Sequence, residues 1–454
     1  MTPPTPGAPT GGAATRAPEA ARGSSDHPGA ANAAGVGLGN HRGLRCEETP
    51  PALTDEARAR RAQRYERRRV SSAWLIGAAR EEKGFDANTI GVRHGDPSWV
   101  RPPRVARCSW RVDDIAVHLG PSGRAHFTGA ERCASASCCP VCSAVIRYQR
   151  TQDVRAIYDA VQSITDPVMW GLFLTLTVRH EKGHSLKETL GTLTSAWRSM
   201  QQSAAWREGE TSRWEVVEVF DRSGQRRRVR RSAERKPSMR ERFGGLFGLV
   251  RATEVTVRDS WHPHIHVWLV TRRRLLGAEL ADLENDLLDL WVDHVEKASA
   301  DRNHTPNEHG VKIDRVTGSG VAAYLTKLQD GGEGLALEVT RGDLKNGRLR
   351  SRVPFELLDN PSNDADRARW IEYTKAMHGR HIIDVSPSLR EVAALAERSD
   401  EEIIRDAHAE TVAFWIDAYT YEEGRRRAGW LSEVLDATEA DPAAAALFYG
   451  SEAG

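Results

Sequence analysis

The chain has 454 residues, of which 39% are hydrophobic and 28% charged, a composition typical of soluble globular proteins. Its formal net charge is only +1, so overall charge does not indicate a nucleic-acid partner. No segment approaches the roughly 20 apolar residues that a membrane span requires, and the N-terminus lacks a secretory signal. We therefore expect a cytoplasmic protein with no membrane association.

Composition divides the chain into four predicted regions. Residues 1–50 are rich in Pro, Ala, Gly and Thr, and we expect them to be disordered because they offer little apolar surface to bury. Residues 51–145 begin with a basic helix and continue into a cysteine-rich segment. Residues 146–390 alternate between helical and strand patterns, with a basic insertion near 210–240. The pattern of residues 391–454 predicts an acidic helical tail.

Apolar periodicity within residues 146–390 predicts helix, strand, helix, strand, strand, helix, strand and helix in that order. The four strands are predicted at 172–178, 249–257, 264–270 and 311–316. The short connection between the middle two favours an antiparallel hairpin. This order predicts an α+β fold, an antiparallel sheet with helices packed on it.

Four of the six cysteines lie between Cys133 and Cys142, which is typical of a metal site in a reducing compartment. Cys-Pro-Val-Cys at 139–142 has the spacing of a zinc knuckle. Cys108 could supply a fourth thiolate across an intervening strand pair, and Cys138 competes with Cys133 or Cys139 for a ligand role. We predict a structural Zn²⁺ held by Cys108, Cys133, Cys139 and Cys142, the alternative being a cluster of buried thiols.

A histidine pair lies on the second strand of the predicted hairpin. His264 and His266 are two residues apart, so their imidazoles share one face while Ile265 enters the core. Glu254 on the preceding strand faces the same side if the hairpin closes near residues 259–260. Two imidazoles and one carboxylate leave coordination positions open for a divalent cation and a substrate oxygen. The alternative is a hydrogen-bonded or surface histidine pair.

A tyrosine and a lysine share one face of the helix predicted near 321–328. Tyr324 and Lys327 are three residues apart, so both can point into one site. A nearby ammonium favours the nucleophilic phenolate and attracts a phosphate. We expect the preceding strand to lie beside the histidine strand, which would bring both groups to the histidines. The alternative is a core tyrosine with a solvated lysine.

The basic insertion has a high local charge. Between residues 226 and 240 eight basic side chains are opposed by Glu234 alone. We predict DNA contacts for five arginines: Arg226, Arg227, Arg228, Arg230 and Arg231. The alternative is a solvated helix face or loop.

In order and spacing, three blocks resemble the three motifs of the HUH endonucleases, and most closely the rolling-circle replication initiators (Rep proteins) of Gram-positive and actinobacterial plasmids. Motif one resembles Phe-Leu-Thr-Leu-Thr at 173–177, and motif two resembles Trp-His-Pro-His-Ile-His-Val at 261–267. Motif three resembles Ala-Ala-Tyr-Leu-Thr-Lys at 322–327. The resemblance covers about 105–392.

The resemblance implies a sheet-based nuclease domain in which His264 and His266 hold Mg²⁺ or Mn²⁺. Glu254 as third ligand follows from strand parity and from the acidic residue that the family has upstream. Tyr324 would nick one strand of single-stranded or cruciform origin DNA and keep the new 5′ end as a phosphotyrosine, and Lys327 would position the phosphate. A host helicase and polymerase are expected partners, and a homodimer is an open alternative.

One residue departs from the family pattern. One branch of the family has a glutamate one helical turn before the tyrosine, where this chain has Gly320. Termination could instead use Asp314, Asp330 or the tyrosine of a second subunit.

Two other functions are open. A related relaxase or transposase is one, although most relaxases have their tyrosine ahead of the histidines. The other is a non-catalytic, zinc-containing DNA-binding regulator, which leaves the histidines, Glu254 and the Tyr-Lys pair unexplained together.

Overall fold

The structure is a computed structural model that describes residues 54–86, 100–120, 123–299, 302–316, 351–406 and 411–451. Across these ranges, no helix combines the length and apolar character needed to cross a membrane. The first ten elements in chain order are α1 (Asp55–Glu81), β1 (Arg111–Leu119), β2 (Ala125–Ala130), α2 (Pro140–Ser163), β3 (Trp170–Thr177), α3 (Leu186–Gln202), α4 (Ala204–Arg207), β4 (Glu210–Phe220), β5 (Arg226–Lys236) and α5 (Met239–Arg242).

The remaining elements begin with the longest strand pair and end in a group of short helices. They are β6 (Leu246–Val257), β7 (Trp261–Thr271), α6 (Gly277–Ala298), β8 (Val311–Arg315), a 3₁₀ helix (Pro354–Asp359), α7 (Asp364–Met377), β9 (Ile383–Val385), α8 (Pro387–Val392), α9 (Asp400–Asp406), β10 (Thr411–Ile416), α10 (Ala418–Gly424), α11 (Trp430–Ala440) and α12 (Pro442–Tyr449).

The main sheet has five strands in the order β8-β3-β7-β6-β9, and every neighbouring pair is antiparallel. The predicted α+β class is confirmed, and β6 and β7 form the expected hairpin. One expectation is wrong: β8 pairs with β3, so β3 separates it from the histidine strand β7. β3 has leucines on one face and Phe173, Thr175 and Thr177 on the other, and this alternation does not report which strands lie beside it.

One face of the main sheet is the larger apolar core. Leu172, Leu174 and Leu176 on β3 are at most 3% exposed and belong to the same buried cluster as the leucine stripe of α3. Fully burying each such side chain contributes roughly 1.5–3 kcal/mol. On α6, Trp291 joins this cluster, and its indole Nε1 donates to the carbonyl oxygen of Thr177 at 2.8 Å. The end of β3 is thereby fixed to a helix.

The opposite face is covered at one end only by a second apolar cluster. Val154 and Ile157 of α2 and Leu389 of α8 pack with Trp268 on β7. Towards the middle of the sheet this cluster ends at Ala252 and Phe173. The polar side chains described below begin there.

A second, three-stranded sheet has the order β10-β1-β2. Its strand β10 comes from the tail, which the sequence predicted to be helical, so that prediction is wrong for residues 411–416. Phe414 and Ile416 are buried while Trp415 between them stays over a third exposed, the alternation of a half-buried strand. Ile416 pairs with Ile115 of β1.

The basic insertion is neither helix nor loop. Strands β4 and β5 pair along their length as an antiparallel hairpin, with Glu218 opposite Arg228 and Phe220 opposite Arg226. The run of arginines hides the two-residue alternation of apolar residues that marks other strands, so the pattern gave no strand signal here.

Candidate functional site

The predicted metal-binding face is assembled by three neighbouring strands. In the β6–β7 ladder Glu254 lies opposite His264 and Ala252 lies opposite His266. On the other side of β7, Thr175 of β3 lies opposite His266 and Thr177 lies opposite His264. Residues opposite each other in a ladder point to the same face, so both histidines, Glu254 and the two threonines share one surface.

Two hydrogen bonds fix the ring of His266, which is 5% exposed. Its Nε2 donates to a carboxylate oxygen of Glu254 at 2.8 Å. Its Nδ1 lies 3.1 Å from the hydroxyl of Thr175, which acts as the donor when the imidazole is neutral. The ring also stacks on Phe173, with ring centroids 5.5 Å apart. His266 is therefore held in one orientation before any substrate binds.

His264 differs from His266 because one ring nitrogen is left without a partner. The two rings are nearly parallel with centroids 6.0 Å apart. Within the described part of the chain the Nδ1 of His264 is buried and has no hydrogen-bond partner. Burial lowers the pKa of His264 to about 4, because it disfavours the imidazolium form. A neutral imidazole with an unpartnered nitrogen is suited to binding a divalent cation.

The donor set of this face fits a divalent cation, although the ligand atoms are not drawn together around one point. Two imidazole nitrogens and a carboxylate oxygen suit a divalent metal with open coordination positions. Among the described residues, however, the grouping in which every ligand atom lies within 4.8 Å of the others is the cysteine cluster, and the histidines are not part of it. Glu254 pairs with His266, and its side chain is 28% exposed. Binding of an ion would require Glu254 or His264 to turn.

Two further histidines, His180 and His262, extend this face, and neither is among the predicted ligands. The ring centroids of His180 and His262 are 3.8 Å apart in an edge-on arrangement, and the Nδ1 of His180 lies 3.0 Å from the hydroxyl of Ser260. Burial and the neighbouring His262 lower the pKa of His180 to about 4. The sequence indicates the same parity for His262 as for His264, with Pro263 and the hairpin bend leaving its position open, and β7 includes His262. His180 lies beyond the end of β3 and has no such signal.

The four cysteines predicted as zinc ligands lie together. Sulfur–sulfur distances are 3.7 Å for Cys108–Cys142, 3.8 Å for Cys133–Cys142 and 3.5 Å for Cys139–Cys108. A tetrahedral ion with Zn–S bonds of about 2.3 Å places its sulfurs about 3.8 Å apart. All four thiols are at most 5% exposed. The cluster can hold a metal such as zinc.

Local structure explains why these thiols converge. The Sγ of Cys139 accepts a hydrogen bond from the backbone N–H of Cys142, so the knuckle is also the N-cap of α2. Hydrogen bonds from the other three thiols hold the pKa of Cys108 well below its usual range, and the guanidinium of Arg132 adds to this effect. Cys138 lies outside the cluster, and its thiol is 3.3 Å from the hydroxyl of Ser137.

Helices α1 and α7 fasten the cysteine segment to the rest of the fold. Arg68 of α1 donates to the carbonyl oxygen of Cys108 at 2.9 Å, and Ser72 donates to that of Ala106 at 2.5 Å. Tyr373 of α7 is fully buried, and its hydroxyl donates to the carbonyl oxygen of Ser137. This contact joins α7 to the cysteine segment.

Several predicted residues cannot be placed on this surface. Tyr324, Lys327, Gly320 and Asp330 lie outside the described residues. Asp314 lies on β8 opposite Phe173, next to the histidine face.

The five predicted DNA-binding arginines all lie on β5. The side chains of Arg226, Arg227 and Arg228 are exposed. The side chains of Arg230 and Arg231 lie outside the part of the chain that the structure describes.

The antiparallel sheet with its histidine face, beside a buried tetrathiol cluster, defines an α+β protein with two candidate metal centres. A protein named Rep from Streptomyces lividans is 28% identical over 370 residues, 72% of this chain and 78% of the relative. A protein named Rep from Bacillus amyloliquefaciens is 23% identical over 271 residues, 54% of this chain and 62% of that relative. The predicted resemblance to plasmid Rep proteins is therefore confirmed.

A third relative has a different name. A neomycin resistance protein from Streptomyces cyanogenus is 28% identical over 158 residues, 34% of each chain. No protein-family profile matches the chain. No solved structure matches it either.

Proposed function

We propose that the protein initiates rolling-circle replication by nicking and rejoining one DNA strand through a tyrosine-linked intermediate. The observation that carries the proposal is the β3–β7–β6 face, where Glu254 and His266 are hydrogen-bonded beside the unpartnered Nδ1 of His264. Relatives named Rep support the replication role. The nicking chemistry is our inference from the arrangement of these side chains.

Mg²⁺ or Mn²⁺ is the proposed ion, held by His264, His266 and Glu254. When bound, it would supply Lewis-acid polarisation of the scissile phosphate. The chain's own residues hold the proposed ligands in position. Thr175 and Phe173 keep the His266 ring in place through the hydrogen bond and the stacking contact described above. Fixing ligands before substrate arrives lowers the cost of reaching a reactive geometry.

Tyr324 is the proposed nucleophile. Its phenolate oxygen forms a bond to phosphorus while the bond from phosphorus to the 3′ oxygen breaks, and that oxygen takes up a proton as the 3′-hydroxyl. Lys327 would hold the phosphate and favour the phenolate. The phosphotyrosine keeps the energy of the broken phosphodiester bond, so attack by a 3′-hydroxyl can rejoin the strand without ATP.

Chain length supports placing Tyr324 at this face. Arg315 at the end of β8 pairs with Leu172, three residues along β3 from the Thr175–His266 pair. That offset is roughly 10 Å along the strands, and two strand spacings add roughly 10 Å across the sheet. The nine residues from Val316 to Tyr324 can span up to about 30 Å. The connection is therefore long enough for the tyrosine to return to the histidines.

A cleavage assay tests the reaction class. Overlapping single-stranded oligonucleotides that tile the DNA beside the gene are incubated with the protein and Mn²⁺. We expect one discrete cut. In His266→Ala the cleavage rate should fall by at least about 100-fold, because the metal loses a principal ligand. The control is His309→Ala, since His309 is 82% exposed and pairs with neighbouring Glu308. Absence of any cut, with folded protein that binds the same oligonucleotides, would favour a non-catalytic DNA-binding protein instead.

A further inference from the structure

The β4–β5 hairpin, residues 210–236, forms an arm that the nicking reaction does not use. Each strand has 11 residues, so a straight hairpin of this size is about 37 Å long. Two-stranded hairpins are marginally stable in water without a surface to cover them. A long hairpin outside the main sheet therefore needs an explanation.

Most of the described side chains of the arm are exposed, and they lie on both of its faces. Val216 and Phe220 on one face are 65% and 72% exposed, and Val219 and Val229 on the other are 40% and 44% exposed. Apolar side chains on both faces of a thin ribbon, interleaved with arginines, are suited to a partner that surrounds the ribbon.

Positive charge is concentrated in the arm. Residues 210–236 contain nine basic and five acidic side chains, an excess of four, whereas the whole chain has a net charge of +1. Glu218 contacts both Arg226 and Arg228, at 3.1 and 3.2 Å, and Asp221 contacts Arg227 at 3.1 Å. The three arginine side chains stay 65–76% exposed. Exposed ion pairs of this kind are weak, so phosphates could replace the carboxylates.

The arginines of α1 show a different use of the same residue type. The side chains of Arg61 and Arg67 are only 11% and 7% exposed. Arg61 binds Asp436 of α11 at 2.7 Å, and Arg67 binds Asp359 of the 3₁₀ helix at 2.7 Å. These arginines are used to join elements of the fold, whereas those of the arm are available to a ligand.

The arm is held firmly at its base. A Cβ on Gly209 would lie 2.2 Å from the carbonyl oxygen of Lys236, so the two strands enter the fold in close backbone contact. Arg235 donates to the carbonyl oxygen of Glu208 and pairs with Glu241 at 2.6 Å. Below it, Phe243 is fully buried. The tip is also ordered, because Asp221 accepts from the backbone N–H of Ser223 at 2.9 Å.

We propose that the arm binds double-stranded DNA by inserting into the major groove. The major groove of B-DNA, about 12 Å wide, admits a two-stranded β-ribbon, and arginines can contact its phosphates and guanine edges. Val and Phe side chains suit contact with thymine methyl groups. A single strand is a weaker fit, because stacking platforms use several aromatics and Phe220 is the one aromatic among the arm's described side chains.

The position of the arm supports a role separate from the nicked strand. Its base precedes Leu246 at the start of β6, whereas Glu254 lies eight residues further along the strand. The run along β6 from Leu246 to Glu254 is roughly 27 Å, comparable to about eight base pairs of B-DNA. The proposal that the arm binds a duplex rests on the proposed function only for which DNA is bound. Binding to a duplex can be measured without cleavage, so the two proposals can be tested separately.

The test compares Arg226→Gln/Arg227→Gln/Arg228→Gln with the wild-type chain, by fluorescence anisotropy over a series of salt concentrations. The probes are a duplex and a single strand of the same sequence. We expect duplex binding to weaken roughly 10- to 100-fold, and its salt slope to fall by roughly 0.9 for each phosphate that an arginine no longer neutralises. The control is Arg58→Gln/Arg302→Gln/Arg426→Gln, which removes three exposed, ion-paired arginines elsewhere and the same net charge.

Each outcome decides the proposal. Weaker duplex binding in the arm variant, with the control and single-strand cleavage unchanged, would support it. Unchanged duplex binding, or an equal loss in the control, would overturn it. A greater loss for the single strand than for the duplex would also overturn it, and would assign the arm to single-stranded DNA. Failure of cleavage in the wild-type chain would count against the nicking proposal and leave the binding result intact.

Discussion

The two candidate metal centres differ in how far the fold completes them. At the cysteine cluster all four sulfurs lie within 4.8 Å of one another and are buried. At the histidine face the candidate ligands come from adjacent strands, Glu254 is partly exposed, and the three groups do not converge on one point. Structural zinc sites are closed tetrahedra, whereas catalytic sites keep positions open for substrate. This difference is consistent with our proposal that one centre stabilises the fold and the other acts on a substrate.

The largest expected effect is loss of the cysteine cluster. Cys139→Ser with Cys142→Ser should remove about one zinc per chain and several kcal/mol of stability, because structural zinc binding is coupled to folding. Elemental analysis and thermal unfolding measure both quantities. Cys138→Ser is the control, since its thiol lies outside the cluster. Full zinc content in the double variant would show that these thiols are not the ligands.

Selective removal of metal should separate the two centres. Brief treatment with EDTA should abolish DNA cleavage yet leave the zinc content and melting temperature unchanged, because the four thiols are buried. Added Mn²⁺ or Mg²⁺ should then restore cleavage, as expected for a hard cation at an open site. If EDTA removed zinc and abolished cleavage together, the two centres would not differ in how readily they release metal.

A smaller effect is expected at Glu254. Glu254→Gln keeps a hydrogen-bonding group beside His266 but removes the charged ligand, so cleavage should require roughly 10- to 100-fold more Mn²⁺. A titration of cleavage rate against Mn²⁺ measures this shift. Glu397→Gln is a control on a 78% exposed carboxylate. An unchanged Mn²⁺ requirement would mean that Glu254 only orients the His266 ring.

The smallest expected effect is at Thr175, which only positions His266. Thr175→Val removes the hydroxyl 3.1 Å from Nδ1, and we expect cleavage to slow roughly 3- to 10-fold, since outer hydrogen bonds tune a metal ligand. Thr177→Val on the same face is the matched control. Equal effects of the two substitutions would argue against a specific role for the Thr175 hydroxyl.

Local patterns predicted much of this molecule. The alternation in β3 and the spacing of His264 and His266 depend on strand geometry alone, so strand order was not needed to predict their faces. The position of β8 beside β3 depends on packing across the sheet, which periodicity does not report. The run of arginines in β5 left no alternation of apolar residues to indicate a strand. Residues 411–416 form β10 because they pair with the edge of β1, a contact that their own sequence does not report. His180 lies beyond the end of β3, so strand alternation gave no signal for its contact with His262.

The most direct test of the nicking account is a covalent-adduct measurement on labelled single-stranded origin DNA with Mn²⁺. Wild-type protein should carry the label through denaturing electrophoresis, and Tyr324→Phe should carry none. Tyr419→Phe, at a position that is 76% exposed, should behave as wild type. An adduct that persists in Tyr324→Phe at the wild-type level would contradict the account, because the attacking oxygen would then belong to another residue.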